Sequence, residues 1–451
     1  MAKKNKLPVP PTPMERLMSP FREFLQQETS SGILLLSLTV IALLWANSPW
    51  RESYASIWNT KLTIGYGGFE LSKALILWIN DGLMAIFFFV VGLEIKREVL
   101  IGELASFRKA ILPVAAALGG MVVPALIYTF FNANGTGSSG WGIPMATDIA
   151  FALGVLALLG SRVPISLKIF LTAVAVVDDL GAVLIIAVFY TENIIWANLG
   201  IAALLMVALV VCNLLGVRNP LIYSILGVGL WLAFLKSGVH ATIAGVLLAM
   251  TIPSKARIND KLFVKHSRSI LTDFERADEG DDFLNETQRS ALQTLEELTQ
   301  NAEAPLQRLE HNLHPWVAFG IMPLFALANA GVTFDDGFAA AVTSPVSLGV
   351  IFGLLLGKQI GITAFSWVIV KSRLAELPKG VTWRHIYGVS WLGGIGFTMS
   401  LFISGLAFGE SSLLTAAKAG ILIVSLVAGV GGWLILKNAM QTQPEKTAAI
   451  H

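Results

Sequence analysis

Leu171-Thr-Ala-Val-Ala-Val-Val-Asp178-Asp179-Leu-Gly-Ala-Val-Leu-Ile-Ile-Ala187 sets two adjacent carboxylates in the middle of an apolar run from about Ser166 to Tyr190. A run of that length crosses a bilayer as one helix. Each acid lies about twelve residues from either end, so both fall near the midplane. One ionised Asp at that depth costs roughly 2.5 to 3.5 kcal/mol on an insertion scale. Two side by side also repel, which disfavours the doubly charged state. Such a pair is kept where it faces a wet cavity, a cation or a buried base. The competing reading is a misplaced loop or a helix-packing hydrogen bond; ionisable groups inside a membrane are functional by default.

The rest of the chain agrees with a membrane setting. Its 451 residues are 55% hydrophobic and 14% charged, with a mean hydropathy of +0.69. Soluble domains carry about 25% charged residues. The net charge of +2 says little about partners, and no nucleic acid and no cofactor are expected. The one cysteine, Cys212, lies in an apolar run, so no intrachain disulfide forms and the redox compartment stays open. The polar leader before Gly32 is too long for the start of a signal peptide, so no cleavage is expected.

The pattern predicts an all-α polytopic membrane protein of about twelve transmembrane helices with a small β-hairpin outside the bilayer. The leader, 1–31, carries Lys3, Lys4, Lys6, Arg16 and Arg22, with Met14, Leu17, Met18, Phe21, Phe24 and Leu25 at the spacing of a surface-lying helix. Spans 1 to 8 fill 32–252, at about 32–47, 74–95, 108–131, 141–160, 166–190, 196–216, 220–236 and 239–252. Two short β-prone pieces around glycines, 61–71, read as a hairpin. A polar insert, 253–313, contains one amphipathic helix marked by Phe283, Leu284, Leu292, Leu295 and Leu298. Spans 9 to 12 fill 314–437, at about 314–332, 345–370, 384–408 and 413–436, and 438–451 is a tail. Short loops on the side of the N-terminus hold Lys96, Arg97, Arg108, Lys109, Arg162, Lys168, Arg218, Lys371, Arg373, Lys379 and Arg384. The opposite side holds Arg51, Lys61, Lys73, Lys236 and Lys418. By the positive-inside rule leader, insert and tail are cytoplasmic.

Three further interruptions match the depth of the aspartate pair. Span 4 reads Gly142-Ile-Pro144-Met-Ala-Thr147-Asp148, and span 11 reads Gly393-Gly394-Ile-Gly396-Phe-Thr398-Met-Ser400. Both predict broken helices; close packing at glycine is the alternative for span 11. Half-helix ends need compensating charge, negative at N-termini and positive at C-termini. Asp148 and Lys358 have the right signs. Lys358 is too deep in span 10 to snorkel, and Asp178 or Asp179 is its expected partner, in a structural or a functional ion pair. Spans 3–5 and 10–12 are each a triplet with a broken middle member, which points to inverted repeats around a midplane site. Glu310, His311 and His314 lie where the insert meets span 9, and Glu94 and Glu98 end span 2 on the same side. Histidine there titrates near neutral pH; an ordinary solvated border is the alternative.

These motifs resemble the NhaA-type sodium/proton antiporters of bacterial inner membranes. The carrying stretches are Trp78-Ile-Asn-Asp81-Gly-Leu-Met-Ala, Gly92-Leu-Glu94-Ile-Lys-Arg-Glu98, Ala146-Thr147-Asp148, Val177-Asp178-Asp179-Leu-Gly, Lys236-Ser-Gly-Val-His240-Ala-Thr, Leu309-Glu310-His311 through Pro315-Trp316, Gly357-Lys358 and Gly393 through Ser400. Inverted repeats are an established feature of that family, so the resemblance carries that architecture too. It implies a transporter rather than an enzyme, with no catalytic residue. It implies Asp179 as the main ligand of a transported Na⁺, Asp178 as the partner of Lys358, Thr147 near the site, and Asp148 balancing half-helix ends. Glu94, Glu98, Glu310, His311 and His314 match the family's pH-response region, and the hairpin matches its dimer contact. The long insert 253–308 departs from the family pattern and puts the pH setting in doubt.

The chemistry of the residues runs the same way. A protonated carboxylate pair is neutral and has no use for Na⁺. A deprotonated pair is a hard oxygen-rich anion suited to Na⁺ or Li⁺. Protons and cation then compete for one site, and alternating exposure turns competition into exchange. An antiporter of another monovalent cation is the nearest alternative. A cation channel needs an open lumen and a repeated filter, and one site is seen here rather than a ring; an intramembrane aspartyl protease needs two Asp facing each other from separate helices, commonly within a Gly-x-Gly-Asp pattern that is absent here.

Overall fold

In the computed structural model the described residues are 28–66, 69–133, 135–191, 194–277, 283–335 and 337–441. The expected leader helix at 14–25 lies outside them. Among the described residues the fold is helical apart from one two-stranded sheet. Among the described residues seven helices are long and apolar enough to cross a membrane, or nine if each of two bent pairs counts as one span. The chain divides into two compact units. One holds 28–57, 112–178 and 318–441 of the described residues, and the other 58–111 and 179–317.

The first unit is built on long apolar helices that meet through small residues. Phe107–Asn132 enters it at Leu112 and crosses Pro345–Phe352 and its continuation, Lys358–Lys371. At the crossing a Cβ on Gly361 would stand 2.0 Å from the Gly119 carbonyl oxygen, and one on Gly119 would stand 2.2 Å from that of Gly361. Only two glycines allow backbones this close, which is how membrane helices gain packing energy without a hydrophobic driving force between them. Between the two helical stretches, Gly353–Gly357 takes a π-helical turn. Such bulges locally rotate the side chains that follow, and Lys358 is the first of them. Ser412–Gln441, 30 residues long, packs along Trp383–Gly393, Phe397–Phe408 and Pro345–Phe352. Its rise of about 45 Å exceeds the roughly 30 Å hydrocarbon core.

Two helices of this unit are broken. Ser138–Met145 is a tight 3₁₀ stretch containing Pro144; Ala146 is extended, Thr147 belongs to neither helix, and Ile149–Ala157 is α-helical. Trp383–Gly393 ends at Gly394, and Phe397–Phe408 resumes bent by 42°. Pro144 and the three glycines supply the physical cause: no N–H in one case, weak helix propensity in the other.

In the second unit, Leu75–Leu77, a π turn at Trp78–Leu83 and Met84–Ile101 form one apolar path. It packs on Ile243–Thr251. That helix has 9 residues, shorter than the expected span 8 at 239–252. Gly238 takes a left-handed φ of +84° and turns the chain, so the residues from Val239 to Thr242 do not join the helix. Trp196–Leu214 and Pro220–Leu235 pack as a pair. The strands β1 (Lys61–Tyr66) and β2 (Phe69–Ala74) are antiparallel with Lys61 opposite Ala74 and Thr63 opposite Ser72. β1 is exposed throughout. The hairpin therefore runs three residues beyond the expected 71, and Lys73 at its end pairs with Asp81 at 2.8 Å.

The insert differs most from the sequence expectation. It holds two amphipathic helices, Asp260–Arg276 and Glu286–Ala302, and the start of a third, Pro305–Trp316. Phe283 and Leu284 precede the second helix instead of belonging to it. Asn285 caps that helix, accepting from Gln288 N while the Gln288 side chain accepts from Asn285 N. This reciprocal cap sets a sharp start that hydrophobic periodicity alone misses. The expected start of span 9 at 314 is likewise inside Pro305–Trp316, a helix that runs on through a π turn, Val317–Ile321, to Met322–Asn329.

Candidate ion site and a second charged cluster

The two breaks of the first unit meet, and their polar atoms satisfy one another. Asp148 N donates to Ile395 O at 2.7 Å, and Ser400 Oγ donates to Ile143 O at 2.8 Å. The Asp148 carboxylate sits at two helix N-termini at once. Its Oδ1 accepts from Phe151 N at 2.9 Å, capping Ile149–Ala157, and its Oδ2 accepts from Thr398 N at 3.0 Å, at the start of Phe397–Phe408. Thr398 Oγ1 adds a 2.5 Å bond to the same oxygen. A negative charge at two positive dipole ends is the arrangement that macrodipoles favour.

The opposite sign occupies the opposite ends. The Lys358 ammonium donates to Met145 O, the last carbonyl of the 3₁₀ stretch, to Thr147 Oγ1 at 3.0 Å and to Asp178 Oδ2. All three of its N–H groups are thereby used. Thr147 Oγ1 lies 2.7 Å from Asp178 Oδ2 and 2.9 Å from Gly393 O, the final carbonyl before the second break. Its single proton serves one of these acceptors at a time. Lys358, Asp178, Thr147 and Asp148 are all buried. Asp178 Oδ1 is buried too and has no hydrogen-bond partner among the described residues. Half of this carboxylate is thus held by the base, and half remains an open oxygen acceptor. Asp179, the next residue of Ile165–Phe189, is buried as well.

A second cluster lies in the other unit. Arg97 bridges two acids, with Nη1 2.7 Å from Glu310 Oε1 and Nη2 3.0 Å from Glu98 Oε1. Glu98 also accepts from Glu103 N at 3.0 Å, which ties down the turn after Met84–Ile101. Glu94 shares the electrostatics of Glu310, Arg97 and Glu98. Burial pushes the Glu310 carboxyl up from its ordinary range; Arg97 pulls it back, Glu98 raises it further and His311 lowers it. His311 and His314 are exposed on the same helix. Glu94, Glu98, Glu310 and His311 thus share one junction around Arg97, and His314 follows one turn after Glu310 on the same helix. The sequence reading counted Arg97 only as a topology marker. Its position three residues after Glu94 and one before Glu98 was the available signal. Among the described residues no three His, Cys, Asp or Glu side chains are grouped as a resident metal would need.

With this geometry in view, comparison with known proteins is decisive. A sequence model of the Na⁺/H⁺ antiporter 1 family matches residues 22–436. The chain belongs to the NhaA family of Na⁺/H⁺ antiporters. It is 55% identical over 439 residues to the Na⁺/H⁺ antiporter NhaA of Oleidesulfovibrio alaskensis, covering 97% of this chain and 98% of that one. It is 54% identical to the NhaA of Koribacter versatilis over 94% of this chain and 92% of that one. An NhaA of Syntrophotalea carbinolica is 52% identical, with coverage of 94% and 97%. Membership makes the chain a multi-pass membrane transporter of the NhaA type.

The ion pair has a measurable consequence. Removing one partner of a buried pair typically costs about 3–5 kcal/mol, whereas replacing both by apolar or neutral groups of similar volume is often close to neutral. Lys358→Met is expected to lower the melting temperature of the purified protein clearly. Asp178→Asn combined with Lys358→Met should recover most of that loss. Equal melting temperatures for the single variant and the parent would show that the pair contributes nothing to the fold.

Proposed function

We propose that this NhaA-family antiporter expels cytoplasmic Na⁺ or Li⁺ in exchange for external H⁺ by alternating access at Asp178 and Asp179. The observation that carries this reading is the divided Asp178 carboxylate. One oxygen is neutralised by Lys358 and Thr147, while the other is buried with no partner among the described residues. A cation that binds Asp179 and this open oxygen competes directly with the protons and the ammonium that otherwise neutralise them. Asp178, Asp179 and Lys358 titrate as one coupled set. Thr147 keeps its hydroxyl proton and can turn the O–H between Asp178 and the Gly393 carbonyl as that set changes charge. Asp148 keeps two half-helix N-termini compensated throughout.

Loss of two protons for each Na⁺ bound makes the exchange electrogenic. An inside-negative potential of 100 mV then adds about 2.3 kcal/mol per net charge moved. In this reading the chain crosses a bacterial inner membrane about twelve times, with both termini and the insert in the cytoplasm. Spans 3–5 and 10–12 form inverted repeats, and two copies associate through the exposed β1–β2 hairpin. The lysines and arginines named above support that orientation.

Everted vesicles with an imposed pH gradient give the direct test. Addition of Na⁺ or Li⁺ is expected to dequench a pH-sensitive dye, and K⁺ is not. A response to K⁺ alone would identify an antiporter of another cation. Asp179→Asn keeps the shape and removes the charge, so dequenching should be lost while membrane insertion is normal. Near-normal exchange in that variant would move the site elsewhere.

The junction around Arg97 sets the pH range. The folded protein holds the Glu310 proton more tightly than the unfolded chain does. The stability this contributes is therefore full below the ordinary carboxylate range and is lost as pH rises through the raised value. Ionisation loosens the junction at the same alkaline side where the coupled aspartates are free to take a cation. Glu310→Gln fixes the neutral form and is expected to move the midpoint of the pH–activity profile to higher pH, with the maximum little changed. A midpoint that stays in place would make this an ordinary solvated border.

A further inference from the structure

The insert's two helices pack chiefly on each other. Phe263, Ser267, Ile270 and Phe274 form the half-buried stripe of Asp260–Arg276, and Gln288, Ala291, Leu295 and Leu298 that of Glu286–Ala302. The N–H groups of Arg257 and Ile258 both donate to Asn301 O, at 2.9 and 3.2 Å, and close the base of the hairpin. Antiparallel packing of these stripes sets Ile270 level with Ala291, and so Leu271 level with Leu292 to within about two residues, roughly 3 Å along the axis.

Four large apolar side chains of the two helices stay outside this contact: Val264 is 47% exposed, Leu271 49%, Leu292 44% and Leu262, on the opposite side, 46%. On the first helix, Val264, Arg268, Leu271 and Glu275 sit a quarter to a third of a turn past the buried stripe. On the second, Arg289, Leu292 and Glu296 have the same offset from theirs. The helices run in opposite directions, so equal offsets fall on one side of the hairpin. That side has an apolar centre, Leu271 and Leu292, with Arg268 and Glu275 along one edge and Glu296 and Arg289 along the other. Among the described residues no ion pair joins the two helices.

We propose that this face docks onto the same face of a second copy of the chain, so that the insert adds a four-helix contact to a homodimer. Two copies inserted in the same sense in one membrane are related by a twofold axis along the membrane normal. Such an axis keeps every residue at its own height. With the insert helices standing along that axis, it lays Asp260–Arg276 of one protomer over the second insert helix of its partner. Leu271 then meets the partner's Leu292, Arg268 meets the partner's Glu296, and Glu275 meets the partner's Arg289. Opposite charges match at both edges of an apolar centre, the pattern that selects register and partner in paired helices. An anionic lipid surface would select a face of one sign, and this face carries both.

The test uses the full chain in a Cys212→Ser background, which removes the one native thiol. Two distinguishably tagged chains are co-expressed, one with Leu271→Cys and one with Leu292→Cys, reconstituted into vesicles and oxidised. A disulfide between the two tags is expected. A pair on the opposite side, Leu262→Cys with Thr294→Cys, should give none. Adding Glu296→Lys to the Leu292→Cys chain should abolish the crosslink, and adding Arg268→Glu to the Leu271→Cys chain should restore it. Absence of the mixed disulfide in vesicles that still exchange Na⁺ for H⁺ would overturn the proposal. So would a crosslink indifferent to the charge swap, or vesicle protection of Leu271→Cys from a water-soluble maleimide without crosslinking, which would place the face on lipid.

Discussion

A lysine without access to water must be neutralised where it stands, and the first unit is arranged around that requirement. Lys358 is wholly buried and uses its three N–H groups on a carboxylate, a hydroxyl and a backbone carbonyl. The carbonyl is available only because Ser138–Met145 stops where it does. The hydroxyl is in place only because Thr147 lies in the break between two helical stretches and reaches the terminal carbonyl of Trp383–Gly393. The approach of Gly119 to Gly361 brings the lysine-bearing helix close enough to deliver the ammonium. Loss of any one of these would leave a charge in a low-dielectric interior, where the penalty is several kcal/mol per ion.

Asp148 is the complement. It compensates two helix N-termini while Lys358 compensates a C-terminus, so the paired breaks carry a dipole pattern that is nearly balanced by fixed charge. In the proposed cycle the variable element is then small. The breaks, Asp148 and Lys358 supply a preorganised polar frame, and only the occupancy of the aspartate pair changes between protons and a cation. A site of this kind has no need of resident metal or large rearrangement at the ligands; selectivity comes from the number and hardness of its oxygens.

Much of this was legible in the sequence, for physical reasons. Charges inside apolar runs are costly, so Asp148, Asp178, Asp179 and Lys358 stood out from the composition around them. Pro144 and the cluster Gly393-Gly394-Ile-Gly396 marked the breaks through the missing N–H and the low helix propensity. What escaped notice lacks a side-chain signature. The carbonyls of Met145 and Gly393 are backbone atoms, which any residue supplies. Arg97 looked like one of many cytoplasmic-side bases, because its role depends on Glu310, more than two hundred residues away. The late start of Ile243–Thr251 follows from a left-handed Gly238, and that of the second insert helix from a cap at Asn285; both are single-residue effects inside segments whose hydrophobic pattern pointed elsewhere.

Direct competition between protons and cation for one buried carboxylate pair is the claim on which the functional reading rests. It is tested most directly by adding Na⁺ to the purified protein in weakly buffered solution at alkaline pH and following the pH of the medium. The account predicts saturable release of protons, more than one per Na⁺ bound, and no release from the Asp179→Asn variant. Saturable Na⁺ binding that releases no protons would contradict it.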